Sequence, residues 1–109
     1  MIKKITYNGA LVLQALAKDY RYGFEIMDFT GLASGTTYPI LRRFERDGMV
    51  RSRWEAQREA HDDGRPPRRY YELTSRGSEA LAEALERFAA HQKVFAAEPS
   101  PGSSGGSTR

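Results

Sequence analysis

Two short stretches of this sequence are rich in arginine. A guanidinium group can donate two parallel hydrogen bonds to a phosphate or to the O6 and N7 atoms of guanine. Six arginines lie in the two stretches: Arg42, Arg43 and Arg46 in SGTTYPILRRFERDGMV, and Arg65, Arg68 and Arg69 in GRPPRRYYELT. Whether they can bind one polyanion together depends on the elements that carry them.

The composition is that of one small globular domain with a mildly basic balance. The chain has 109 residues, of which 39% are hydrophobic and 28% are charged, and its formal net charge is +3. This charge favours an anionic partner only weakly. Residues 1–50 hold seven Lys or Arg against five acids, residues 51–70 six against four, and residues 75–98 three against four. Positive charge is therefore concentrated before the C-terminal region.

The sequence offers little support for secretion or membrane insertion. It has no cysteine, so a disulfide framework is excluded, and no apolar stretch approaches the ~20 residues of a membrane helix. The N-terminal MIKKITYNGALVLQALAKDY has lysines before an apolar run, but Gln14 interrupts that run and no small-residue cleavage site follows. We expect a core helix here and a cytoplasmic protein, with secretion as the alternative.

Three helices are predicted before residue 48. The segment from Ile5 to Lys18 is apolar on most faces, which indicates burial on more than one side, and a second chain could cover one of them. A second helix is predicted for Tyr22–Phe29. Gly31 suits the end of that helix, and Ser34 could cap a third helix that runs from about Gly35 to Asp47.

Pro39 lies inside the third predicted helix. With the cap among residues 34–36, it falls in or just beyond the first turn, where proline's missing N–H costs little. We therefore interpret it as a marker of the helix start and not as a kink. The stripe of Thr37, Leu41 and Phe44 then faces the core, and the arginines of this segment face outward.

A β-hairpin and a long helix are predicted to follow. Residues 50–55 alternate as in a half-buried strand, RRYYELT is a second strand, and the polar QREAHDDGRPPR between them is predicted to be a loop. We expect Trp54 to pack at the root of this hairpin. The last helix opens at Thr74 or Ser75. Its inner positions follow a 3-4 spacing and are Leu81, Leu85, Phe88, Gln92 and Phe95.

These elements predict a mainly α fold with a small β-hairpin, arranged as a winged helix-turn-helix with a C-terminal dimerisation helix. We expect a DNA-binding domain at residues 1–74, the dimerisation helix at 75–97 and a flexible tail at 98–109. In this fold the third helix enters the DNA major groove by its N-terminal end. The helix start, with its short polar Ser34 and Thr36, suits a phosphate, and the hairpin tip carries three arginines.

The chain also resembles the PadR-like transcriptional regulators. The resemblance lies in YGFEI (Tyr22–Ile26), GTTYPILRRFERDGMV (Gly35–Val50), Trp54 and GRPPRRYYELTSRG (Gly64–Gly77), which occur in family order and spacing. It implies a homodimeric bacterial repressor of a palindromic operator, with the C-terminal and first helices at the dimer interface. It places Gly35, Thr36, Tyr38, Pro39, Arg42 and Arg43 in the recognition helix and Gly64, Arg65, Arg68 and Arg69 in the wing.

Two departures from the family pattern are visible. Thr37 stands where an aliphatic residue is common, and the wing contains an additional proline. Some relatives bind aromatic drugs between tryptophans of their C-terminal helices. The corresponding helix has no tryptophan here, so that form of recognition is not carried over.

Two sets of site residues follow. The candidate DNA-binding residues are Ser34, Gly35, Thr36, Tyr38, Pro39, Arg42, Arg43, Arg65, Arg68 and Arg69. The candidate dimer residues are Leu11, Leu81, Leu85, Phe88, Gln92 and Phe95. We expect Arg65 to contact phosphates. The Leu81–Phe95 stripe could instead belong to the core of the single chain. A three-helix core has little room for a fourth long helix, however, which favours a dimer seam, the contact between the α-helices of two copies.

Other interpretations remain open for several residues. Arg42, Arg43 and Arg46 could form a solvated face paired with Glu45 and Asp47. Tyr38 could be a core aromatic rather than a phosphate contact. The whole chain could be a winged-helix module that binds a protein partner instead of DNA.

Catalysis and metal binding have no convincing candidates in the sequence. His61, Asp62 and Asp63 fall in a predicted loop, and His91 stands alone, without further ligands at metal-binding spacing. No nucleophile and base are arranged together. We therefore expect neither an enzyme nor a cofactor. The expected partners are double-stranded DNA, a second copy of the chain and an effector of unknown identity that could bind at the dimer interface.

Overall fold

The computed structural model describes residues 4–96, apart from the side chains of residues 57–59 and 96. Its elements, in chain order, are α1 (Tyr7–Ala17), α2 (Gly23–Thr30), α3 (Ser34–Arg46), β1 (Val50–Trp54), α4 (Gln57–Asp62), β2 (Arg69–Leu73) and α5 (Ser75–Ala96). The two strands pair antiparallel, from Val50 opposite Leu73 to Trp54 opposite Arg69. The prediction of a mainly α fold with a small hairpin is confirmed. The predicted tail, residues 98–109, lies outside the described residues.

The core is built around α1. Thr6 caps this helix by accepting a hydrogen bond from the Gly9 N–H at 3.1 Å. Val12, Leu13 and Ala15 are fully buried, because α2, α3, β2 and α5 all pack against the helix. Elements of the same chain therefore bury most of the apolar surface that the sequence pattern could equally have assigned to a second copy.

The start of α3 differs from the prediction. Ala33 is the N-cap and Ser34 the first helical residue, so the expected capping role of Ser34 is wrong. Pro39 is the sixth residue of the helix and removes a hydrogen bond to the carbonyl of Gly35. Gly35 is exposed, so water can bond to that oxygen instead, and the helix continues to Arg46.

The inner face of α3 is apolar except at one position. The predicted stripe of Thr37, Leu41 and Phe44 is buried, and Ile40 joins it. Thr37 is completely buried, and its Oγ1 has no hydrogen-bond partner among the residues that the structure describes. The position where an aliphatic side chain was expected thus holds a hydroxyl in an apolar environment.

The hairpin corrects two further predictions. Residues 57–62 were expected to be loop, but they form α4, because the sequence QREAHD consists largely of good helix formers and Ala60 is buried. Trp54 was expected to pack at the hairpin root, but it is 63% exposed. It lies at the outer end of β1, where the strand has left the body of the domain, and the Arg69 guanidinium lies 5.8 Å from its ring.

α5 is attached to the domain through its first turns. Thr74 accepts a hydrogen bond from the Gly77 N–H at 3.1 Å and donates one to the Gly48 carbonyl at 2.6 Å. A Cβ at residue 77 would lie 2.0 Å from the Met49 carbonyl oxygen, so only glycine permits this approach. The predicted start of the last helix is confirmed.

Replacing Thr37 by valine should stabilise the fold. The change removes the unpartnered hydroxyl and keeps the shape of the side chain, so the free energy of unfolding should rise by about 1–2 kcal/mol. Chemical denaturation would measure this. Thr36→Val, at the half-buried neighbouring position, is the control and should change stability by less than about 0.5 kcal/mol. A loss of stability in Thr37→Val would show that the hydroxyl has a partner.

Candidate nucleic-acid interface

The start of α3 lies on the surface, immediately after a tight turn. Gly31 adopts a left-handed conformation with φ of 76°, which ends α2 and reverses the chain within three residues. Ser34 and Gly35 are exposed, Thr36 is half-buried, and none of the described side chains caps the helix. The first N–H groups and the positive end of the helix dipole are therefore available to an anion.

Tyr38 connects this surface to α2. Its hydroxyl oxygen would lie 2.0 Å from a Cβ placed on Gly23, and its Cζ 2.7 Å, so the ring rests directly on the backbone of the first residue of α2. The side chain is nevertheless exposed at its edge. Tyr38 thus has a packing role, as one interpretation proposed, while an edge of the ring remains at the surface. No sequence pattern indicated that Gly23 was its partner.

The arginines of α3 differ in their surroundings. Arg42 and Arg46 are exposed, and neither has a carboxylate within 4.0 Å among the described residues. Arg43 is half-buried, with its guanidinium 5.7 Å from the Phe44 ring centre. Glu45 accepts a hydrogen bond from Ser52 at 2.6 Å instead of pairing with these arginines. Among the described residues, the arginines of α3 therefore do not form the ion pairs with Glu45 and Asp47 that the alternative interpretation included.

Arg69 links the wing, residues 50–73, to α3. Its Nη2 lies 3.4 Å from a Glu45 carboxylate oxygen and 2.8 Å from the Ser52 hydroxyl oxygen. The same side chain lies against the ring of Trp54. This half-exposed group is oriented from three sides, which fixes one wing arginine close to the recognition helix.

Arg68 lies over the start of α2. Its guanidinium is 5.0 Å from the ring centre of Phe24 and 5.6 Å from that of Tyr22. These two rings are stacked on each other with their centres 5.8 Å apart. Stacking of this kind holds the planar cation without neutralising its charge.

Glu55 is the centre of a network at the base of the wing. Its carboxylate accepts hydrogen bonds from Arg65 at 2.5 and 2.9 Å, from the Arg68 backbone N–H at 3.2 Å and from the Tyr22 hydroxyl at 3.3 Å. The hydrogen bonds from Arg65, followed by that from the Arg68 amide, lower the pKa of Glu55 from 4.5 to about 2 despite its burial. Burial, and then the Glu55 charge, raise the pKa of Tyr22.

The sequence did not identify Glu45, Glu55 or Tyr22 as parts of this surface. Their partners are seven to 33 residues away along the chain, so no local spacing could indicate them. The three predicted wing arginines have different environments. Arg65 pairs with carboxylates, Arg69 bridges to α3, and Arg68 stacks on aromatic rings.

The candidate dimer residues divide into two groups. Leu81 is 6% exposed and packs in the core of its own chain, so its side chain has little surface left for a partner. Phe88 is half-buried and meets Tyr7 of α1 edge to face, with ring centres 5.7 Å apart. Leu11 is also half-buried, whereas Leu85, Gln92 and Phe95 are exposed.

Two other observations concern the described part of the chain. No helix within residues 4–96 is both long and apolar enough to cross a membrane. In the same range, no three His, Asp or Glu residues come together as a metal site would require, and both His61 and His91 are exposed.

Comparison with known proteins places these features in a family. The model of the family described as "Transcriptional regulator PadR-like family" matches residues 12–83. A PadR family regulator from Clostridium difficile is 26% identical, with 83% of this chain and 95% of that chain aligned and a TM-score of 0.72. A PadR-like transcription factor from Bacteroides fragilis is 24% identical, with 80% and 84% aligned and a TM-score of 0.66.

A third structure extends the similarity of fold. PcaV, a transcriptional regulator from Streptomyces coelicolor solved in complex with its natural ligand, is 21% identical and has a TM-score of 0.75. The alignment covers 90% of this chain and 65% of that one. No curated protein matches the chain.

Acid should release the Glu55 network. Because the pKa of Glu55 is about 2 in the folded chain and 4.5 ordinarily, its contribution is complete above pH ~4.5 and is lost as the pH falls toward ~2. Trp54, the single tryptophan, adjoins Glu55, so its fluorescence in the folded chain should stay constant from pH ~7 to below ~4.5 and change as the pH approaches about 2.

Two variants test whether Glu55 causes this change in fluorescence. Glu55→Gln should remove it, whereas Asp63→Asn should retain it, because Asp63 bonds to Arg65 but not to Glu55. Tyr22, Arg65 and Arg68, which also face Glu55, do not change charge in this pH range. Identical titration curves for wild type and Glu55→Gln would contradict the assignment.

Proposed function

We propose that this chain, which belongs to the PadR-like family of transcriptional regulators, binds a palindromic operator as a homodimer and represses transcription. The observation that carries the proposal is that one surface combines the uncapped start of α3, an exposed Arg42 without a carboxylate partner, and two oriented arginines of the wing, Arg68 and Arg69. The exposed groups of this surface are those that recognise phosphates and guanine edges.

The proposed contacts follow from the fold. The start of α3 would enter the major groove, with the N–H groups of residues 34 and 35 and the edge of Tyr38 near the phosphate backbone. Pro39 keeps this end of the helix rigid. Arg42 and Arg43, one to two turns further on, would reach base edges, while Arg68 and Arg69 of the wing would contact the neighbouring backbone. Two such helices would occupy successive major grooves ~34–36 Å apart.

We propose that α5 forms the dimer seam. Leu85 and Phe95 are large apolar side chains of this helix, and they are exposed in the single chain. Exposed apolar surface of this kind is typical of obligate interfaces. Gln92 lies on the same helix. Leu11 and Phe88, which are half-buried, would lie at the margin of the seam, next to the core that contains Leu81.

An effector would act through this seam. PcaV was solved with its natural ligand, so the shared fold is compatible with ligand control. A small molecule between the two α5 helices could alter the distance between the recognition helices. It would change the affinity for DNA only by the difference between its own affinities for the two distances between the recognition helices.

The alternative of a protein-interaction module is favoured by one surface. Tyr20, Phe24 and Phe29 are exposed around α2 and line a shallow cleft with Glu25 and Asp28. A partner protein could bind there. This function predicts no salt-dependent affinity for DNA, which separates it from the repressor.

Binding to DNA from the chain's own upstream region is the direct test. The purified protein would be titrated onto this duplex and onto a shuffled duplex at two salt concentrations. A repressor should bind the natural duplex more tightly, and the affinity should fall steeply with salt because counterions are released from the phosphates. Equal or absent binding on both duplexes would support the protein-interaction module.

Removal of Arg42 should weaken operator binding more than removal of Arg46. Arg42→Ala should cost about 1–3 kcal/mol of binding free energy, because the side chain is exposed and lies one turn closer than Arg46 to the groove-facing start of the helix. Arg46→Ala, an equal charge change one turn later, should cost less than about 0.5 kcal/mol. Fluorescence anisotropy with a labelled operator would measure both. Equal losses in the two variants would contradict this division.

Charge placed on α5 should separate the proposed dimer without unfolding it. Phe95→Asp buries a carboxylate in the seam and should raise the dimer dissociation constant by at least about tenfold. Ala90→Asp, exposed on the opposite face of α5, is the control for added charge. Sedimentation equilibrium would measure both, and an unchanged dimer in Phe95→Asp would place the interface elsewhere.

A further inference from the structure

We infer that Arg65 is a positioning residue of the wing and that it acts on DNA binding through Glu55, without contacting DNA itself. This inference rests on the proposed DNA-binding function and deepens it. It also revises the expectation from the sequence that Arg65 contacts phosphates. The Glu55–Arg65 pair is the basis for the distinction.

Four of the five donors of Arg65 are already occupied. A guanidinium has five N–H groups. Nη1 donates to Glu55 Oε1 at 2.5 Å and to the Pro66 carbonyl at 3.4 Å, and Nη2 donates to Glu55 Oε2 at 2.9 Å and to Asp63 at 3.0 Å. Neither edge with two parallel donors can therefore bind a phosphate or guanine while these contacts persist.

Burial separates Arg65 from Arg69. The Arg65 and Glu55 side chains are 22% and 7% exposed, whereas Arg69 is 43% exposed. A bidentate pair shielded from water is much stronger than a surface pair, because its attraction is less screened and neither group can be rehydrated without breaking it. DNA binding would have to break this pair to recruit Arg65.

The position of the pair explains what it holds. Glu55 follows β1 directly, and its backbone N–H donates to the Arg68 carbonyl at 2.8 Å. Its carboxylate accepts from the Arg68 N–H in return. Arg65 follows α4, the helix in the segment that leaves the hairpin between β1 and β2. Its backbone N–H donates to the Ala60 carbonyl at 3.0 Å and closes this α4 excursion. The pair therefore joins the two ends of the α4 excursion at the point where β2 begins.

The network also sets the direction of Arg68. The Tyr22 hydroxyl donates to Glu55, and the Tyr22 ring lies under the Arg68 guanidinium. Glu55 thus fixes both the backbone of residue 68 and one of the rings on which its side chain stacks. Loss of the pair would leave the charge of Arg68 intact but release its orientation relative to α2 and α3.

Glu55→Gln distinguishes positioning from contact by the sign of its effect. If Arg65 touched DNA, removal of the neighbouring carboxylate would release a cation, and affinity would stay equal or rise. If Arg65 acts through Glu55, Glu55→Gln and Arg65→Ala should each weaken operator binding by about tenfold, and the double variant should be no weaker than either alone. Anisotropy titrations at one fixed salt concentration would measure all three.

Two further arginine variants complete the comparison. Arg65→Lys keeps the positive charge and could still contact a phosphate, but it cannot form the bidentate pair, so it should lose most of the affinity that Arg65→Ala loses. Arg68→Ala is the matched control for direct contact in the same wing. Its loss should come with a reduction of about 0.9 in the slope of log affinity against log salt.

A readout without DNA separates this inference from the proposed function. Trp54 emission should change in Glu55→Gln and Arg65→Ala but not in Arg42→Ala, while helix unfolding measured by circular dichroism stays close to wild type. Failure of the wild-type chain to bind DNA would reject the proposed function. Wild-type affinity in Glu55→Gln or Arg65→Lys would overturn the positioning role. Unchanged Trp54 emission in both Glu55→Gln and Arg65→Ala would overturn it as well.

Discussion

A two-stranded hairpin cannot fix its own position, and this constraint governs how the DNA-facing side of the chain is built. Two strands without a covering layer are marginal in water. Here β1 is buried only at Val50, and the strand becomes exposed toward Trp54. Packing of β2 against α1 holds the inner part of the hairpin, and carboxylates outside the ladder restrain its outer part. Glu45 of α3 binds Ser52 and Arg69, and Glu55 binds Arg65 and the Arg68 backbone.

These carboxylates also decide which positive charges remain for a partner. An arginine that pairs with a buried carboxylate contributes geometry, and its charge is largely neutralised locally. An arginine held by aromatic rings keeps its charge, as Arg68 does over Tyr22 and Phe24. Net charge alone would count both types equally. The distribution of partners, more than the formal +3, therefore describes the electrostatics of the surface.

The body of the domain explains why α5 can serve two purposes. Its first turns are anchored by Thr74, by the close approach at Gly77 and by Leu81 and Ala84 in the core. Beyond them, Leu85 and Phe95 find no comparable cover within the described chain. One continuous helix therefore connects the core that supports α3 to the apolar surface proposed as the seam. A displacement at the seam would be transmitted through a rigid element.

The sequence by itself determined the features that depend on neighbours along the chain. Gly31 marked the turn after α2, Thr74 marked the start of α5, and the spacing of Thr37, Leu41 and Phe44 identified the inner face of α3. Each rests on local backbone geometry or on helical periodicity, which a linear pattern records. The family resemblance added the order of the elements and indicated the surface that carries the arginines.

Only the tertiary structure decided what each arginine contacts. Arg65, Arg68 and Arg69 are nearly adjacent in the chain, yet their partners come from the residue after β1, from α2 and from α3. The same holds for Gly23, whose missing side chain makes room for Tyr38, and for Trp54, which lies at the surface. These outcomes depend on contacts between residues far apart in sequence. Burial and hydrogen bonding at such contacts set the role of a charge, and neither property is encoded in residue type or spacing.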